Sequence, residues 1–195
     1  LRMVSGIVGP VLLGGAVATF FNGSNFTVAK ENLLSVEGVG VISAWANASH
    51  GLDALLDVWT VILGLAVYFL ACILGALFVI NQVDDDDIRR QSRATLPFTV
   101  PAFLVTFLAF LVRTLLKDGF AVHPATGEVF MEPMKYLHNL LALWPVLILL
   151  LTGVVLVLAG IADALFRKQS TRSIWPAGAG TVLTVLALFL TAGHA

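Results

Sequence analysis

Five long stretches of this chain contain no Asp, Glu, Lys or Arg: Met3–Phe21, Val58–Val83, Ala94–Val112, Tyr136–Ala162 and Ser173–Ala195. Crossing the hydrocarbon of a bilayer, about 30 Å thick, takes roughly 20 helical residues. Each stretch is long enough. Without water, a backbone must satisfy its own hydrogen bonds, so each stretch reads as a helix. Leu, Ile, Val and Phe follow one another with no period of two, which argues against barrel strands. The expectation is an all-α membrane protein: a polytopic transmembrane bundle of about five helices, at about 3–21, 58–81, 96–116, 136–163 and 174–193, in one domain spanning 1–195. Composition excludes the rivals. With 58% of residues hydrophobic and only 12% charged, the chain has about half the charge of an ordinary soluble domain. Its apolar surface exceeds what one small core hides, which argues against a water-soluble enzyme. A net charge of −1 leaves no basic face for nucleic acid. Cys72, the single cysteine, forms no internal disulfide and no Cys-rich metal site.

The connections separate by charge. Arg2, Arg89, Arg90, Arg93, Arg167, Lys168 and Arg172 lie at the chain start or in the short loops 82–95 and 164–173. Only Lys30, Arg113, Lys117 and Lys135 lie in the two long loops. Basic residues in short loops mark the cytoplasmic side. The chain start and both short loops are therefore expected there, with the long loops outside. The first stretch also resembles a signal peptide, with Arg2 before it and Ala16-Val17-Ala18 as a cleavage-like triplet. Gly6, Pro10, Gly14 and Gly15 interrupt it and four spans follow, which favours a retained helix. The missing initiator Met and the odd helix count suggest a piece of a longer protein.

Helices in lipid associate where small residues let backbones approach. The first helix offers Gly14-xxx-Ala18, the second Ala71-xxx-Gly75, and the fourth Gly153 and Gly160. The fifth opens with Pro176-Ala177-Gly178-Ala179-Gly180. These are either specific interfaces or the ordinary Gly and Ala content of membrane helices. Pro97 reads as a helix start, and Pro101 and Pro145 as bends. The spans hold almost no ionisable group, which counts against a self-contained pump. Arg113, Asp57 and Asp163 sit only at span ends.

Asp84-Asp85-Asp86-Asp87 lacks the alternating ligands and turn glycine of a calcium loop. Its spacing predicts i, i+4 pairs, Asp85 with Arg89 and Asp86 with Arg90, and aspartates at a helix N-terminus; a docking or ion role is the alternative. His50, His123, His138 and His194 all fall on the outer side, without the tight spacing of a metal site. Phe120–Val122 and Val129–Met131 flank a Pro- and Gly-containing turn and predict a small extramembrane hairpin. Glu132-Pro133 then starts the fourth helix, with His138 and Asn139 as its most interior polar pair, held by hydrogen bonds. The long first loop carries N-x-S/T triplets at Asn22, Asn25 and Asn47.

The stretch from Gly119-Phe120-Ala121-Val122 through Met131-Glu132-Pro133-Met134-Lys135-Tyr136-Leu137-His138-Asn139-Leu140 resembles subunit II of cytochrome bd quinol oxidase, in its Bacteroides-type form. Gly14 through Phe21, Asn81-Gln82-Val83-Asp84-Asp85 and Gly178 through Val185 agree in order. The resemblance implies the middle and later helices of that family. It implies a haem-free subunit in the bacterial cytoplasmic membrane, with no cofactor or catalytic residue of its own. This chain would scaffold a partner, subunit I, that carries haem b and haem d. Together they would oxidise quinol and reduce oxygen in aerobic respiration, with this chain helping to form proton and oxygen routes. A quinone held by this chain stays open, as does a permease or transporter module as the alternative function.

Overall fold

A computed structural model describes residues 2–28, 43–123, 128–167 and 170–193. The order is α1 (Arg2–Asn22), β1 (Phe26–Val28), β2 (Ser43–Trp45), a 3-10 turn (Leu52–Leu56), α2 (Val58–Gln82), α3 (Asp86–Leu115), β3 (Gly119–Val122), β4 (Val129–Glu132), α4 (Lys135–Ala142), α5 (Trp144–Phe166) and α6 (Ile174–Ala192). Five of these helices, α1, α2, α3, α5 and α6, are long and apolar enough to cross a membrane. The chain is thus an all-α membrane protein. Exposed Phe98, Val105, Leu151 and Val182 cover the outside of the bundle, as lipid contact requires.

The helix ends are set by local chemistry. Asp57 caps α2, its carboxylate accepting from the Thr60 N–H at 2.9 Å. Asp85 caps α3 in the same way, accepting from the Ile88 N–H at 3.0 Å. That cap, with Asp86 and Asp87 in the first turn, starts α3 well before the uncharged stretch. Pro97 therefore lies inside α3 and does not begin it, which corrects the sequence expectation.

The expected fourth helix is two helices. Pro145 has no N–H for the Leu141 carbonyl and its ring would crowd that carbonyl. The chain breaks at Leu143, and Pro145 sits in the first turn of α5. The Leu143 carbonyl then accepts from Val146 and Leu147. So Pro145 interrupts rather than bends. Glu132 and Pro133 do not start a helix either. Glu132 ends β4, and Met134 at φ 51° turns the chain into α4.

Two hairpins lie at one end of the bundle. β3 and β4 pair antiparallel from Gly119↔Glu132 to Val122↔Val129, as the apolar pattern predicts. Their Pro–Gly turn lies outside the described residues. β1 and β2 pair from Phe26↔Trp45 to Val28↔Ser43, and this hairpin was not expected. The opposite end carries the aspartate loop and the α5–α6 connection. Ile73, Leu77, Ile80 and Leu96 are fully buried where α2 meets α3. Ala177 is buried where α6 meets α5. Val157 and Ile161 of α5 join the same core as α1, α2 and α3.

Candidate functional site

Glycines set the closest helix approaches. A Cβ on Gly14 of α1 would stand 2.7 Å from the Gly64 Cα of α2, and Ala18 one turn on is fully buried. A Cβ on Gly153 would meet the Thr184 N at 2.7 Å, and one on Gly160 the Ala177 N at 2.7 Å. Gly14, Ala18, Gly153 and Gly160 therefore all lie in contacts within the chain. Ala71 and Gly75 do not. Both are exposed on α2, and a Cβ on Gly75 would meet nothing within 4 Å. Gly64 escaped the sequence reading, although Thr60-xxx-Gly64 carries the same small-residue spacing.

Polar side chains tie the hairpin end together. Glu132 at the end of β4 accepts from His138 Nδ1 at 2.7 Å and pairs with Lys135 Nζ at 3.1 Å. The His138 hydrogen bond and then Lys135 hold the Glu132 carboxyl below its ordinary range. Asn139 is buried, and its Nδ2 donates to the Thr191 carbonyl of α6 at 3.2 Å. Asn22 donates to Asp57 at 2.9 Å, joining the end of α1 to the start of α2. Lys117 Nζ donates to the Phe21 carbonyl at 2.7 Å, satisfying the last turn of α1. Burial, and then the nearby Arg113 charge, push the Lys117 ammonium below its ordinary range. Asp53 gathers the first loop by accepting from Asn25, Asn47 and Ser49. The Asn25 hydrogen bond contributes most to lowering its carboxyl. The amides of Asn22, Asn25 and Asn47 are thus all engaged in local structure.

The opposite end differs from the predicted pairing. Arg89 meets Asp84 at 3.1 Å and Asp86 at 3.8 Å, and Arg90 meets Asp87 at 3.4 Å. The expected Asp85–Arg89 and Asp86–Arg90 pairs give way because the Asp85 carboxylate turns to the Ile88 N–H. Asp163, near the end of α5, accepts from Ser173 at 2.7 Å and from Ser170. Arg93 Nη2 donates to the Ser170 carbonyl at 2.8 Å and Asn81 to the Thr171 carbonyl at 2.7 Å. These bonds fasten the α5–α6 connection to α2 and α3.

The family model of cytochrome bd terminal oxidase subunit II matches residues 1–195, the whole chain. The chain belongs to this family. No curated protein matches it. As a cytochrome bd subunit, it is a multi-pass membrane component of a respiratory quinol oxidase that contains haem and further subunits.

A haem held within the bundle would need an axial donor such as His, Met or Cys. An apolar cleft of about 380 Å³ runs between α1–α3 on one side and α5–α6 on the other. Its lining has no His, Met or Cys, so it presents no axial ligand. Its two hydroxyls are spent on their own helix: Thr181 donates to the Ala177 carbonyl and Thr184 to the Gly180 carbonyl. His50 and His123 are exposed at the hairpin end, and His138 faces Glu132. His194 lies outside the described residues. Among the described residues, no three His, Cys, Asp or Glu side chains converge on one point. The residues lining this cleft therefore do not fit a haem.

Proposed function

We propose that this chain is the haem-free subunit that scaffolds the haem-bearing subunit I of a quinol:oxygen oxidoreductase. The observation that carries this reading is the Ala71–Gly75 face of α2. Gly14, Gly64, Gly153, Gly160 and Gly180 are each closed off by a neighbouring helix of the same chain. The Ala71–Gly75 face is open, apolar and free of charge, and suits a helix of a second subunit. Haem b and haem d belong to that partner, which also oxidises the quinol. This chain contributes walls to proton and oxygen routes at the shared interface. The aspartate end faces the cytoplasm and the hairpin end faces outward, because the basic residues of the short loops gather at the former.

The transporter alternative needs a discontinuous helix at the bilayer midplane. The break at Leu143 instead precedes α5, whose 23 residues span the hydrocarbon unbroken. The test is to purify the complete oxidase through a tag on this chain and record a reduced-minus-oxidised spectrum. Both b- and d-type haem signals are expected, and all of the haem should stay with the partner when the subunits are separated. Haem remaining on this chain would overturn the scaffold reading.

A further inference from the structure

α3 has 30 residues, which at about 1.5 Å each run about 45 Å. The hydrocarbon accounts for only about 30 Å of that. Its uncharged part begins at Ala94, so the first two turns stand at headgroup level. Arg89, Arg90 and Arg93, with Asp86 beside them, line a cleft of about 620 Å³, closed on the far side by Ala164, Leu165 and Thr171. The cleft is polar at one end and apolar at the other, where Ala94 and Pro97 face Ala164 and Leu165. One turn on from Ala94, Phe98 is 80% exposed on the lipid-facing surface.

We propose that Arg89, Arg90 and Arg93 bind the phosphate of an anionic phospholipid, whose acyl chains follow Ala94, Pro97 and Leu165 down α3. Guanidinium groups match phosphate oxygens in charge and fork geometry. Basic clefts between membrane helices suit such headgroups. The Arg90 guanidinium is 83% exposed and makes only a 3.4 Å contact with the equally exposed Asp87, so its donors can turn to the ligand. The neighbouring aspartates do not fill this role. Asp84 and Asp86 are fully solvated, and such exposed pairs are weak. Asp85 is committed to the helix cap. The apolar wall distinguishes a lipid from a free phosphate ion, which would gain nothing from Pro97 or Leu165.

The test uses the complete oxidase, stripped of lipid by a detergent wash. Dioleoylphosphatidylglycerol or dioleoylphosphatidylcholine is then added back, and retained lipid per complex is measured by mass spectrometry. The unmodified complex should retain phosphatidylglycerol over phosphatidylcholine. Arg90→Gln should weaken that retention about five-fold, and Arg89→Gln with Arg90→Gln further. The Arg90 side chain is 83% exposed, so this variant folds normally. Arg167→Gln, an exposed charge outside the cleft, should leave retention unchanged. Equal retention of both lipids, or no loss in the arginine variants, overturns the proposal. So does complete displacement of phosphatidylglycerol by millimolar inorganic phosphate, which would make this a site for the free ion.

Discussion

Gly153 and Gly180 meet backbone to backbone where α5 crosses α6. A Cβ on Gly180 would stand 2.5 Å from the Gly153 carbonyl oxygen and 2.6 Å from the Val157 nitrogen. Backbone cannot yield as a flexible side chain can, so the helices must separate. Gly180→Val is expected to cost about 1–3 kcal/mol or more. Gly178 on the same helix has open space around its Cβ position, and Gly178→Ala should be neutral or slightly stabilising. Thermal unfolding in detergent micelles compares the two. Equal melting temperatures would mean that α5 and α6 do not pack through this glycine contact.

Acid should loosen the hairpin end before the bundle. Glu132 and Asp53 both have carboxyls lowered in the folded chain, through His138 and Asn25 first. A lowered carboxyl stabilises the fold above its ordinary pKa, and that contribution is lost as pH falls through the lowered value. The loss therefore starts near pH 4, about the ordinary carboxylate value, and grows below it. Hydrogen exchange should show protection around Asp53 and around β4–α4 falling as pH drops below about 4, with α2 and α5 unchanged. Uniform loss along the chain would contradict a local cause.

His138 is expected to hold structure rather than to react. Its Nδ1 meets Glu132, while the next residue, Asn139, reaches the Thr191 carbonyl on α6. His138→Leu should lower the yield of assembled oxidase, because it removes the hydrogen bond that ties α4 to Glu132 at the end of β4. Turnover per haem should stay within about two-fold, since a structural bond does not enter the barrier. Full yield with lost turnover would give His138 a chemical role.

The five spans were readable because charge is excluded from hydrocarbon so strictly that its absence marks them. The β3–β4 hairpin was readable from two short apolar runs about a turn. What misled was punctuation near the ends. Pro97 looks like a start, yet the Asp85 cap lies upstream and the helix runs through the proline. Pro145 looks like a bend, but a missing donor and a crowded carbonyl produced a break at Leu143. The aspartate–arginine pairs shifted because capping competes with ion pairing for the same carboxylate. β1–β2 has only three residues a side, below what alternation can signal. Small-residue spacing found Gly14, Gly153 and Gly160, but spacing alone does not say whether a partner lies inside the chain or beyond it.

That last distinction gives the sharpest test. Gly75 has no neighbour within 4 Å of its Cβ position, and Ala71 is exposed one turn away. Gly75→Leu should therefore leave the folding of this chain intact, because nothing in the chain must move. A partner helix packed on the same face would be pushed off by the added side chain, at a cost of about 1–3 kcal/mol. The expected outcome is normal membrane insertion and an unchanged melting temperature for the separated chain, with several-fold less haem-bearing partner co-purified. Gly6→Leu, also with open space around it but on α1, serves as the control and should recover the partner in full. If Gly75→Leu recovers as much partner as the unmodified chain, α2 faces lipid at this position and the interface lies elsewhere.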